Sequence, residues 1–201
     1  LGLNGLGACA TQYSSEFMHV TVFRDGYKYS LEFKKGENVG GLKKEKVKYD
    51  HTGTTISWRP DLEVFTEIHI PIEYYRQTLK RQAVINPGIT FILEDEESEN
   101  RDVFYYERGI VDYVNELAGE SAFTEVQFYE TSAKGRDRED KPEYKVKMQI
   151  AFMFSNEVNV LEYYHNSSFL EYGGAPDRAV KNAFLFAIDN YLKNNNKYNK
   201  N

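Results

Sequence analysis

The pair Asp25-Gly26 constrains this chain more than any other feature. Before it, Phe17-Met18-His19-Val20-Thr21-Val22-Phe23 is built almost wholly from β-branched and aromatic residues. After it, Tyr27-Lys28-Tyr29-Ser30-Leu31-Glu32-Phe33 alternates strictly between apolar and polar positions. A two-residue loop of this type needs positive φ, which Asp and Gly accept, so the spacing predicts a tight β-hairpin. An antiparallel sheet near the start of the chain follows. A polar stretch from Lys34 to Asp50 comes next, with Gly36, Gly40, Gly41 and six lysines (34, 35, 43, 44, 46 and 48). Thr54 to Trp58 is another short strand, stopped by Pro60-Asp61.

Pro71 stands at the first turn of a predicted helix, where its missing N–H costs nothing. Ile72, Tyr75, Leu79 and Ala83 recur at helical spacing until Asn86-Pro87-Gly88. Strands are expected at Ile89–Leu93 and Val103–Tyr106, joined by the acidic turn Glu94-Asp95-Glu96-Glu97, a charge block read as solvated. A second unit is expected from about Gly109. It holds a short helix through Ile110, Val114 and Leu117, then strands at Thr124–Glu130, Tyr144–Phe154 and Val158–Tyr164. A loop, Lys134–Lys141, separates the first two of these strands, and a helix from Ala175 to Leu192 comes last. Runs of strands divided by isolated helices indicate α+β rather than a regular βαβ order.

With 201 residues, 25 Lys+Arg and 31 Asp+Glu, the chain carries a net charge of −6, which argues against a dedicated nucleic-acid wrapper. The single cysteine, Cys9, excludes an intramolecular disulfide and fits a reducing, cytoplasmic setting. No apolar run approaches the roughly 20 residues of a bilayer span, so no membrane partner is expected. His19, His51, His69 and His165 lack metal-ligand spacing. Lys43, Lys44 and Lys46 could meet DNA phosphates, but they interleave with Glu45 and read better as a solvated edge.

The opening, Leu1-Gly2-Leu3-Asn4-Gly5-Leu6-Gly7-Ala8-Cys9-Ala10, has glycines spaced to cradle an anion at the start of a helix. The pattern G-x-x-G-x-G is neither the dinucleotide nor the P-loop fingerprint, and only Leu1 precedes it. Taken alone, it is a flexible terminus or a phosphate loop without its preceding strand.

The order of this loop, the hairpin and then "HTGTTISWRPD" (His51 to Asp61) resembles the ATPase region of bacterial type IIA topoisomerases, in the B subunits of DNA gyrase and topoisomerase IV. The resemblance continues through Asp61–Glu96, Arg108–Leu117 and Glu171–Leu192. It implies the C-terminal half of a gyrase/heat-shock-chaperone/histidine-kinase-type ATPase sandwich over residues 1–107. An incomplete transducer domain of ribosomal-protein-S5-like fold would follow over 108–201. Gly2, Leu3, Asn4, Gly5, Leu6 and Gly7 match the loop that closes over the phosphates of ATP. Thr54 matches a threonine beside the adenine-recognising carboxylate, and Ile56 an apolar wall of the same pocket. The parent is expected to be an ATP-hydrolysing isomerase using ATP and Mg2+. Its expected partners are DNA, an A-type subunit and a second copy through the complete ATPase domain.

The family's general-base glutamate, magnesium-binding asparagine and adenine-binding aspartate lie before the glycine loop, and its phosphate-reaching lysine lies beyond the last helix. The chain is therefore expected to be a fragment with no catalytic residue and no metal ligand of its own, inactive alone. Ala175-Pro176 stands where Thr-His commonly follows the glycine pair, which marks a divergent branch. Two other readings remain open at this level: a non-enzymatic α+β interaction module, or a chaperone or mismatch-repair branch of the same ATPase superfamily.

Overall fold

The computed structural model describes residues 6–48 and 51–198. Its contacts divide the chain into two compact units, residues 1–71 and 72–201.

The first unit opens with helix α1 (Leu6–Tyr13) and then strands β1 (Ser15–Arg24) and β2 (Tyr27–Lys34). Asp25 and Gly26 have φ of 53° and 74°, the left-handed pair that the hairpin turn demands. Strand β5 (Gly53–Pro60) pairs antiparallel with the other edge of β1, so β1 is central. Within the polar stretch 34–50, the structure adds two short strands absent from the sequence reading, β3 (Glu37–Asn38) and β4 (Lys43–Lys46), both paired with β2. Directly opposed residues share a face of a sheet. Met18, Val20 and Val22 therefore lie on one side with Phe33, Leu31 and Tyr29, and with Trp58, Ile56 and Thr54. The other side carries His19, Thr21, Glu32, Ser30, Ser57 and Thr55. Met18 is buried, whereas Ile56 and Trp58 stay 50% and 42% exposed on edge strand β5.

The second unit begins with α2 (Ile72–Ile85), followed by the hairpin β6 (Phe91–Asp95) and β7 (Asn100–Phe104) and then α3 (Ile110–Ala118). Its core is Ala83, Val84 and Tyr106, against which Ile85, Phe91, Phe104, Ile110 and Tyr113 pack. Gly109 enters α3 at φ +57°, and a Cβ there would stand 2.9 Å from the Val84 carbonyl oxygen, so glycine is required. Strands β8 (Gln127–Gly135) and β9 (Tyr144–Phe152) form a two-stranded ribbon; helix α4 spans Gly174–Asn194 and sets Phe184 edge-on to Phe152, 5.1 Å between centroids.

All the pairings described are antiparallel, in keeping with α+β. Several expected strand bounds shift: β6 runs on to Asp95 and β7 spans Asn100–Phe104, so the turn lies at 96–99 rather than 94–97, and β9 ends at Phe152 rather than Phe154. The expected strand at 158–164 is absent: only β10 (Tyr164–His165) pairs, with β11 (Ser168–Phe169), because strand propensity is realised only where an edge is offered. Strand β8 begins at Gln127 rather than Thr124 and runs to Gly135, beyond the expected end at Glu130 and into the expected loop. By contacts, α2 and the β6–β7 hairpin group with the later residues, through the core around Val84.

Candidate nucleotide site

Gly2, Leu3, Asn4 and Gly5 lie outside the described residues, and Leu6 and Gly7 open α1. This helix is fastened at its C-terminal end. The Ser14 hydroxyl donates to the Ala10 carbonyl at 2.7 Å, and that of Ser15, almost fully buried, donates to Thr11 at 2.5 Å. Gln12 Nε2 donates to the Gly36 carbonyl at 2.8 Å. A Cβ at Gly36 would fall inside the Tyr13 ring, and its φ of +81° favours glycine as well. The N-terminal end differs: Leu6 to Ala10 are all exposed. Apart from its chain neighbours and its own helix backbone, no described atom lies within 4 Å of where a Cβ of Gly7 would stand. Among the described residues, α1 is thus anchored at its C-terminal end and exposed over its first turn.

Thr54 and Ile56 lie on one face of β5, opposite Val22 and Val20 of β1, and both are exposed. The strand is aligned at its far end, where Asp61 donates its N–H to the Ser14 carbonyl at 3.0 Å. The buried Asp61 carboxylate accepts from the Glu63 N–H at 2.8 Å and lies 3.9 Å from Lys35 Nζ. One junction thus holds the end of α1, the start of β1 and the end of β5. A shallow concavity on the sheet is lined by Glu16, Phe17, His19, Glu32 and Lys34 among others, and includes none of Leu6, Gly7, Thr54 or Ile56. Among the described residues, no group of three or more His, Cys, Asp or Glu is arranged to hold a metal.

A network of tyrosines and carboxylates lies in the second unit, and no sequence signal pointed to it. Glu116 accepts from Lys80 Nζ and the Tyr106 hydroxyl, each at 2.6 Å. Glu162 accepts from Tyr164 at 2.7 Å and Tyr113 at 3.2 Å. Burial, then the bond to Glu162 and its charge, pushes the Tyr164 phenol well above its ordinary range; burial with the Glu162 charge and bond raises Tyr113 to about 12. Burial alone would raise Glu116, but the Lys80 and Tyr106 hydrogen bonds and the Lys80 charge outweigh it and hold the carboxyl below its usual value. Three of these four pairs are 36, 10 and 49 residues apart, which is why spacing rules miss them; Tyr164 and Glu162 are two apart.

Comparison with known proteins gives one consistent picture. The family model described as DNA gyrase B matches residues 109–201. The B subunit of DNA topoisomerase 4 from Bacillus subtilis is 29% identical over 202 residues, covering 96% of this chain and 28% of that protein. The B subunit of DNA gyrase from Chlamydia muridarum is 30% identical over 200 residues, covering 97% of this chain and 24% of that protein. The chain thus spans about a quarter of the length of these relatives. In fold, it matches the 43K ATPase domain of Thermus thermophilus gyrase B, solved in complex with an aminocoumarin, with a TM-score of 0.72 and 24% identity over the whole chain and 53% of that structure. Over nearly all of its length, the chain resembles the B subunits of bacterial type IIA topoisomerases, DNA gyrase and topoisomerase IV.

Proposed function

We propose that this chain is the C-terminal half of the ATPase domain, followed by most of the transducer, of the B subunit in a type IIA topoisomerase. The longer protein would couple ATP binding and hydrolysis to passage of one DNA duplex through another, working with an A-type subunit as a dimer in the cytoplasm. The observation that carries this reading is the similarity to both kinds of B subunit over 96–97% of the chain. The boundary near residue 108 and a transducer of ribosomal-protein-S5-like fold belong to the same proposal, supported by the family match beginning at Gly109.

In this reading the backbone N–H groups of residues 2–7 donate to phosphate oxygens at the open end of α1, so the loop itself needs no lysine. Thr54 Oγ1 takes part in adenine recognition through the neighbouring carboxylate and water, and Ile56 packs on the base. The exposure of Leu6, Gly7, Thr54 and Ile56 supports the assignment, since each must be reached by a ligand. ATP with Mg2+ supplies the phosphoryl chemistry. The chain's own share is to bind and orient the nucleotide, and the general base comes from elsewhere in the protein.

The test is Gly5→Val in the full-length protein, measured by DNA supercoiling or relaxation with ATPase turnover alongside. Two methyl groups where backbone must approach phosphate should abolish strand passage. A lost donor of this kind is worth roughly 3–4 kcal/mol, about a hundredfold or more in rate. Asn4→Ala should be milder, because the donor there is the main chain. The 201-residue chain alone should give no heat of binding with a non-hydrolysable ATP analogue. Wild-type turnover in Gly5→Val, or micromolar binding by the chain alone, would overturn the assignment.

A further inference from the structure

Residues 28–48 hold seven lysines against three glutamates, in a chain whose net charge is −6. In sequence, Glu45 interrupts the run, but the pleat of β4 separates the charges. Lys44 and Lys46 stand opposite Tyr29 and Tyr27 on one face of the sheet, while Lys43 and Glu45 stand opposite Ser30 and Lys28 on the other. Lys43 is neutralised on that second face by Glu32, at 2.9 Å. Glu32 and Glu45 therefore both lie on the side away from Lys44 and Lys46. Lys44 Nζ sits 4.0 Å from the centroid of the Tyr27 ring and 5.5 Å from that of Tyr29, contacts that order a cation without cancelling its charge. Lys46, and Lys48 just past the end of β4, make no ion pair among the described residues, and all three lysines are exposed.

We propose that Lys44, Lys46 and Lys48 form a contact surface for the phosphodiester backbone of duplex DNA. The choice of DNA among polyanions rests on the topoisomerase reading; the surface itself rests on the separation of charge across β4. Ammonium groups on an exposed strand offer point charges to phosphate and no paired donors to a base edge, so the contact is independent of sequence. Three neutralised phosphates give log K a slope of about −2.7 against log salt. Between 50 and 200 mM salt, that is about a 40-fold loss of affinity.

The experiment uses the whole 201-residue chain and a fluorescein-labelled duplex of about 30 base pairs, followed by anisotropy across that salt range. K44Q/K46Q/K48Q should weaken binding at least about tenfold at 50 mM salt, equally for unrelated sequences, and flatten the salt slope by about 2.7. K44R/K46R/K48R should keep both, and separates lost charge from a lost fold. K134Q/K147Q alters two lysines of the β8–β9 ribbon that already face Glu143 and Glu130, and should change neither. The proposal is overturned by an unchanged slope in the glutamine triple variant, or by an equal loss in K134Q/K147Q. It is also overturned if the parental chain fails to bind at low salt, or if the three lysines govern binding to phosphatidylserine vesicles but not to duplex. None of these outcomes bears on the nucleotide loop, which the Gly5→Val assay tests separately.

Discussion

Strands β1 and β9 are nearly equal in length, 10 and 9 residues, and both read as strands from sequence, yet their fates differ. Strand β1 is bonded along both edges, by β2 and β5, and buries Met18 and Ser15. Strand β9 pairs only with β8 among the described residues, and everything from Tyr144 to Gln149 is exposed. Its last three residues gain cover, in part because α4 brings Phe184 against Phe152. The burial of a strand is set by what is laid against it, which its own residues do not encode. A two-stranded ribbon with Phe128, Tyr129, Val146 and Met148 about half exposed is a weak element until a third partner covers it.

The strongest way to break this contrast is to remove the core beneath the second unit. Val84 is 1% exposed, and Val84→Asp places a carboxylate among Ala83, Tyr106 and Phe91 without a partner. A loss of more than about 4 kcal/mol is expected, with the second unit unfolded. Amide exchange should show lost protection in α2 and α3 and retained protection in β1; loss in both would show that the two share one cooperative transition. Met18→Ala is the counterpart in the five-stranded sheet. It should cost about 2–4 kcal/mol and appear first in β1, β2 and β5 by the same measurement. Equal destabilisation by Met148→Ala, on the exposed ribbon, would erase the contrast.

The titration of the tyrosine–carboxylate network gives a smaller, signed effect. Glu116 is held below its ordinary 4.5, so its contribution is present above that value and is lost as pH falls through its lower folded value. Tyr106, Tyr113 and Tyr164 are raised above 10, so theirs is intact below pH 10 and is lost as pH climbs beyond it. Thermal melts of the second unit should decline at both extremes, and Glu116→Gln should flatten the acid side. An acid limb unchanged by that substitution would take Glu116 out of the account. The smallest effect is expected on the ribbon surface. Lys147 and Glu130, 3.0 Å apart, are a solvated pair, and Lys147→Ala should leave the melting temperature unchanged.

Much of the fold was legible because its signals are local. The Asp25-Gly26 turn, Pro71 before α2, Asn86-Pro87-Gly88 after it and Gly119 capping α3 all act within a few residues of themselves. For the site, sequence order alone selected the glycine loop and the Thr54 strand. Of that loop only Leu6 and Gly7 fall within the described residues, where they form the first residues of α1 rather than preceding it. The Glu116 and Glu162 networks were invisible, since each joins segments brought together only by folding.

By itself, then, the sequence determined the turns, the helix limits and the alternation that makes one face of the first sheet apolar. Each of these is fixed by backbone sterics or by a period of two or 3.6 residues. Tertiary structure alone decided that 158–163 finds no strand edge to join, that α2 packs its Val84 against Tyr106, and that Lys44 and Lys46 part company with Glu45. Those outcomes depend on which edge or face meets another, and a pairing between distant segments is a property of both partners at once.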